Sequence, residues 1–102
     1  MGIIYLLTNG NEHYKIGITT RKTTKRIKEL QTGNSEEIGV VNEFKSEWFR
    51  RIETTLHRRY GLKRLKGEWF RLNKEDIQNF ISECQTLHDT FKLLEDSGNP
   101  FI

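Results

Sequence analysis

The feature that most limits how this chain can fold is a pair of short apolar, β-branched runs on either side of Asn-Gly. Ile3-Ile4-Tyr5-Leu6-Leu7-Thr8 leads into Asn9-Gly10-Asn11-Glu12, and His13-Tyr14-Lys15-Ile16-Gly17-Ile18 follows. Runs of this length and composition read as strands, and Asn-Gly between them is the strongest short-range hairpin signal. Side chains alternate across a strand, so the hairpin presents one apolar face and sends Tyr5 and Lys15 elsewhere. Residues 22–30 then read as a basic helix. Arg26, one turn into it, could reach the same spot as Tyr5 and Lys15.

The rest of the chain fits around this hairpin. Thr19 and Thr20 can cap the basic helix by accepting backbone N–H bonds. Ile27 and Leu30, with Thr23, give that helix an apolar side. Arg21, Lys22, Lys25, Arg26 and Lys28 leave the other side cationic, and Gly33-Asn34 ends the helix. Residues 36–44 read as a third strand, with Ile38, Val40 and Asn42 on one parity. Ser46 reads as an N-cap for a helix over about residues 47–60, whose core stripe is Phe49, Ile52, Leu56 and Tyr60. Glu53 and His57 share a different face of it. Residues 68–72 are a short strand or an extended segment packing Trp69 or Phe70 on the core. Asn73 caps a last helix over about residues 74–96, with Glu75 and Asp76 complementing its dipole. Ile77, Phe80, Ile81, Cys84, Leu87, His88, Phe91 and Leu94 hold a helical period along it. That stripe docks either on the sheet or on a second subunit, which would give a dimer. The expected fold is a single α/β domain over residues 1–102: a small three-stranded, mostly antiparallel sheet flanked by helices.

Charge is segregated. Residues 1–72 hold fifteen Lys and Arg against eight Asp and Glu, whereas residues 73–102 hold two against six. A basic surface concentrated in one part of a chain is the footprint of a polyanionic partner, most often nucleic acid. The single cysteine, Cys84, rules out an intramolecular disulfide and a cysteine zinc site, and its place in an apolar stripe makes it a buried thiol. With no apolar run of membrane-spanning length and no signal peptide at its start, the chain fits the cytoplasm and no membrane.

The order of these motifs resembles the GIY-YIG nuclease superfamily. That family has a strand ending in G-[IV]-Y, a second ending in Y-[IV]-G, an arginine on the first helix and a metal-binding glutamate on a later one. Tyr5 matches the first tyrosine, Ile16-Gly17 the end of the second motif, and Arg26 the helix arginine. Glu53-Thr54-Thr55-Leu56-His57 is similar to the glutamate helix. The closer likeness is to a short phage-associated branch with K-I-G and E-x-x-L-H motifs, and Gly67-Glu68-Trp69-Phe70 also looks like that branch. The resemblance covers roughly residues 2–72. Ile3 stands where the first motif has glycine, and Lys15 where the second has tyrosine. Tyr14 lies one place off, on the opposite strand face unless a bulge intervenes.

The resemblance implies a metal-dependent endonuclease that hydrolyses DNA, of phage or mobile-element origin and, if phage-encoded, acting in the host cytoplasm. Glu53 would be the protein ligand of Mg²⁺ or Mn²⁺, Arg26 would hold the scissile phosphate, and Tyr5 would position or deprotonate the water. Lys15 could be a base or an electrostatic group, and His57 a proton carrier or a helix-surface residue. Arg21, Lys22, Lys25, Arg58 and Arg59 would contact DNA, with Lys15 and Arg26 on the same basic face. Two other readings stay open. One is a DNA-binding module of this fold without chemistry; the other is an interaction protein that assembles through its last helix.

Overall fold

In a computed structural model, which describes residues 1–32 and 37–98, the hairpin forms as its sequence requires. Strand β1 (Gly2–Thr8) pairs antiparallel with β2 (His13–Thr19). The connecting turn takes four residues, with Gly10 and Glu12 both in the left-handed region. Thr8 fixes it twice: its Oγ1 donates to the His13 carbonyl and accepts from the Gly10 amide. Helix α1 (Thr23–Thr32) starts one residue later than expected, and Thr19 Oγ1 accepts from the Arg21 amide ahead of it. The expected stop at Gly33-Asn34 lies outside the described residues.

The other elements are β3 (Gly39–Ser46), α2 (Phe49–Arg59), a one-turn 3₁₀ segment (Gly61–Lys63), β4 (Arg64–Lys66), β5 (Trp69–Arg71) and α3 (Lys74–Asp96). The sheet has five strands rather than three, in the order β3-β1-β2-β5-β4, with antiparallel pairing throughout. One extra strand, β5, falls within residues 68–72, which the sequence offered as a short strand; the other, β4, is three residues long, too short for any alternation to register in sequence. β3 also departs from the expected parity. A register shift opposite Leu6 and Leu7 pairs Val40 with Leu7 but Asn42 with Leu6, so those two side chains point to opposite faces.

Both sheet faces are covered. Ile4, Leu6 and Ile16 pack against Phe49, Ile52, Leu56 and Tyr60 of α2 and its end, and against Phe80, Cys84 and Leu87 of α3. The apolar stripe of α3 therefore docks on the chain's own core. On the other face, Tyr5 and Leu7 meet Ile38, Ile27 and Leu30. Tyr14 belongs to the first face: the β1–β2 register runs without a shift, and Tyr14 pairs with Thr8 and Phe70 and packs on the larger core. Burial pushes the Cys84 thiol up to about 12, so it is an inert core group.

Ser46 is not the N-cap of α2. Trp48 takes that position without a side-chain cap. Ser46 is buried, accepts from the Trp48 amide and hydrogen-bonds His88 Nδ1 of α3 at 2.7 Å. Asn73 does cap α3, in a reciprocal box with Asp76. No described helix is long and apolar enough to cross a membrane.

Candidate active site and basic cleft

The candidate site sits where the sheet stops pairing. β5 covers only His13, Tyr14 and Lys15 of β2, so beyond Lys15 that edge of β2 is open. A strand residue at an open edge must find other partners for its backbone groups. Ile16 donates its N–H to the Glu68 carbonyl at 3.3 Å and accepts from His57 Nε2 at 2.8 Å. The second bond decides the histidine tautomer. A carbonyl can only accept, so Nε2 carries the proton and the lone pair of the neutral ring lies on Nδ1. His57 also lies against the Phe70 ring, with centroids 5.1 Å apart. It is therefore not the free helix-surface residue that one sequence reading allowed.

Glu68 reaches the site because it is half of a two-residue turn. Gly67 adopts a φ of +57°, which a glycine takes without strain, and Lys66 pairs directly with Trp69. From this turn the Glu68 carboxylate meets Lys15 Nζ at 2.8 Å. Lys15 also lies over the Trp69 ring, 5.8 Å from its centroid. Only 9% of Lys15 is exposed, so it is an interior ion-paired group and not part of an outer basic face.

Glu53 stands four residues before His57 on α2, with one helical turn bringing both to the notch. Ligand atoms of Glu53, His57 and Glu68 all lie within 4.8 Å of one another. Burial pushes the Glu53 carboxyl above its ordinary range, and the Glu68 charge adds to this. His57, Lys15 and Arg50 pull the other way without cancelling it. Its Oε2 is buried and has no hydrogen-bond partner among the described residues. A buried carboxylate oxygen with a second carboxylate and an imidazole beside it is a donor set that suits a small hard cation.

Tyr5 and Arg26 complete the constellation. Tyr5 faces the same side as Lys15 and Gly17, its register partner. A Cβ on Gly17 would collide with the Tyr5 hydroxyl and ring, so only glycine lets the phenol lie flat across β2. Arg26 hydrogen-bonds the Tyr5 hydroxyl and also Glu29 Oε2, at 3.1 Å. Burial raises the Tyr5 phenol above its usual range despite the Arg26 bond, so Tyr5 is protonated at neutral pH.

Beside this constellation, Ile18, Thr19, Thr20, Arg21, Arg26, Phe49 and Arg50 line an open cleft of about 230 Å³. Three arginines, from the β2–α1 loop, α1 and α2, line it. Glu29 ties Arg21 at 2.6 Å and Arg26 at 3.1 Å, and those bonds hold its own carboxyl below the usual range. Of the other expected DNA contacts, Lys22 and Lys25 are exposed near the start of α1. Arg58 and Arg59 are exposed at the end of α2, with Arg59 paired to Glu83 at 3.6 Å. Two site residues, Glu68 and Arg50, escaped the sequence reading. Glu68 stood in a stretch already singled out for its likeness to other chains. Arg50 is one of a pair of adjacent arginines with nothing in the sequence to distinguish them.

The fold is that of an α/β domain with a five-stranded antiparallel sheet and three helices. The chain belongs to the T5orf172 domain family, whose model matches residues 2–85; this phage-associated family is related to nuclease folds. No curated protein and no solved structure gives a significant match to the chain.

Proposed function

We propose that the chain is a metal-dependent endonuclease of the GIY-YIG type that hydrolyses phosphodiester bonds in DNA. The observation that carries this is Glu53. Its Oε2 is buried without a partner among the described residues, beside His57 and Glu68, and its charge feels Arg50, one of three arginines lining the cleft. Glu53 would hold Mg²⁺ or Mn²⁺, with His57 and Glu68 near enough to share it or to orient its waters. A divalent ion held there lowers the pKa of a coordinated water and neutralises phosphate charge.

The remaining work falls to the chain's own side chains. Arg26 is bound on one side by the Tyr5 hydroxyl and on another by Glu29, so its planar donors are oriented before substrate arrives. It grips the scissile phosphate in the cleft with Arg21 and Arg50. Tyr5, protonated and hydrogen-bonded to Arg26, orients the attacking water rather than deprotonating it. His57, with Nδ1 as the lone-pair nitrogen of its neutral ring, accepts the water's proton. Lys15, ion-paired to Glu68, is an electrostatic remnant without a catalytic role and is not the base.

One observation favours a second reading, a DNA-binding module without chemistry. Glu68 is already engaged by Lys15, which leaves Glu53 as the sole uncommitted carboxylate of the cluster. Plasmid nicking with Mg²⁺ and with Mn²⁺ separates the two, run beside a binding titration in EDTA. Wild type should nick, Glu53→Ala should bind without nicking, and Arg26→Ala should reduce both. With Lys15 electrostatic, Lys15→Tyr should keep equal or higher activity. A wild type that binds but never cuts would leave the binding module; a Glu53→Ala variant that still cuts at the wild-type rate would sink the metal assignment. The third reading, assembly through α3, has lost its main feature, because the stripe that prompted it is covered by the chain's own sheet.

A further inference from the structure

A second basic depression adjoins the cleft through Arg50, and its other residues play no part in the chemistry above. Arg50, Arg51, Thr54, Thr55, Arg58 and Phe91 line a groove of about 420 Å³ between the outer side of α2 and the C-terminal half of α3. Three of its six residues are arginines and none is acidic. Arg51 and Arg58 form no ion pair among the described residues, whereas neighbouring Arg59 is held by Glu83 and Lys63 by Asp76. The two threonines do not offer donors, because their hydroxyl protons go to the Arg50 and Arg51 carbonyls. Any anion in the groove would therefore be held by the guanidinium groups, over an apolar floor at Phe91.

Arg50 belongs to both the cleft and the groove, and its guanidinium is steadied over the Phe49 ring, 4.9 Å from the centroid. The two depressions thus form one path without a carboxylate on its lining. Arg51 and Arg58 are seven residues apart on α2, about 10 Å along the helix axis. A DNA strand carries one phosphate per about 3.4 Å of duplex axis, so this distance holds separate phosphates of one strand. A compact anion would fill either depression alone; only a linear polyanion accounts for both and for the shared arginine.

We infer that the α2 groove binds the sugar–phosphate backbone flanking the cleavage position, with Arg51 and Arg58 on separate phosphates of the strand held at Arg50. This rests on the proposed DNA substrate and adds where the DNA runs: from the cleft across α2 toward Phe91. It also sorts adjacent residues, with Arg58 on the track and Arg59 off it.

The test is a salt titration of DNA affinity in EDTA with the full chain, comparing R51Q/R58Q with R59Q/K63Q. Both variants remove two positive charges from α2 or the turn that follows it. On a duplex extending well past the cleavage position on both sides, R51Q/R58Q should lower the salt slope by about two. Between 50 and 200 mM salt, wild-type affinity should then fall roughly tenfold more than that of the variant. R59Q/K63Q should keep the wild-type slope. On a duplex that ends at the cleft, all three proteins should coincide. Equal slopes for wild type and R51Q/R58Q on the long duplex, or equal losses in both variants, would overturn the groove. Nicking in Mg²⁺ or Mn²⁺ reads the underlying proposal separately. A wild type with a groove-dependent slope that never cuts refutes the endonuclease and leaves the track standing, whereas one that binds no DNA refutes both.

Discussion

Replacing Glu53 with glutamine should stabilise the metal-free protein while destroying its activity. The wild-type carboxyl has its pKa raised, chiefly by burial and then by Glu68. A raised carboxyl favours folding when neutral, and that contribution is lost as pH rises through the folded pKa. Above that pH the folded state carries a half-buried charge with one oxygen unpartnered among the described residues. Leaving such a group unsatisfied costs on the order of 1 kcal/mol at the low end of the usual range, which suits a residue only partly buried. Glutamine removes the charge and keeps the shape. For a domain of this size, 1 kcal/mol corresponds to a Tm rise of roughly 4–8 °C. In EDTA, Glu53→Gln should therefore melt above wild type at pH 8, and the gap should close toward pH 4, where both side chains are neutral. Adding Mg²⁺ should reverse the order at pH 8. Saturation at a hundred times Kd would stabilise wild type by about 2.7 kcal/mol and leave the variant unmoved. Scanning calorimetry at the two pH values, with and without Mg²⁺, checks all of this. A Glu53→Gln variant that melts below wild type at pH 8 in EDTA would show the carboxylate to be well compensated and remove the reason for placing a cation there.

Gly17→Ala should cost about 1–3 kcal/mol in denaturant unfolding, because its Cβ drives into the Tyr5 ring. Gly39→Ala, with open space around its Cβ, serves as the inexpensive control. Arg26→Lys should fail to restore the cleavage lost in Arg26→Ala, since an ammonium cannot bond Tyr5, Glu29 and a phosphate in one plane; single-turnover rates test this. Lys15→Met should leave Glu68 unpaired beside Glu53 and lower stability by about 1–3 kcal/mol in EDTA, with Mg²⁺ recovering part of it in the same melting assay. Ser46→Ala should lose about 1–2 kcal/mol by unmaking the bonds to Trp48 and His88.

The parts of the fold legible in sequence were those with long, consistent periods. The β1–β2 hairpin announced itself by alternation and Asn-Gly, and α3 by a helical stripe of nearly five turns. Residues 68–72 offered the short strand that became β5, but three-residue β4 carries no period, so the sheet's second edge was hidden. Ser46 read as a helix cap because serine before an amphipathic run usually is one; its actual partner, His88, lies far along the chain on α3. Arg26 and Glu53 stood out only through their spacing from Gly17 and within E-x-x-L-H. Glu68 did not, because a carboxylate next to Lys66 and Arg71 looks like a local ion pair. Only the hairpin that carries it shows that its partner is Lys15. Tyr14 and Lys15 illustrate what alternation can decide. With no bulge between β1 and β2, the tyrosine must face the core and the lysine the site.

The Gly67-Glu68 turn has a consequence for how this domain can vary. Its length is set by the direct pairing of Lys66 with Trp69 and of Trp69 with Lys15. Many side chains could occupy β4 without disturbing the site, but one inserted residue would slip the register and turn Glu68 away from Lys15. The amide of Ile16 would lose the Glu68 carbonyl in the same stroke. At this corner the domain tolerates changes of identity and resists changes of length. A library that randomises residues 64–66 at fixed length should therefore yield folded members far more often than one that lengthens the turn by a single glycine.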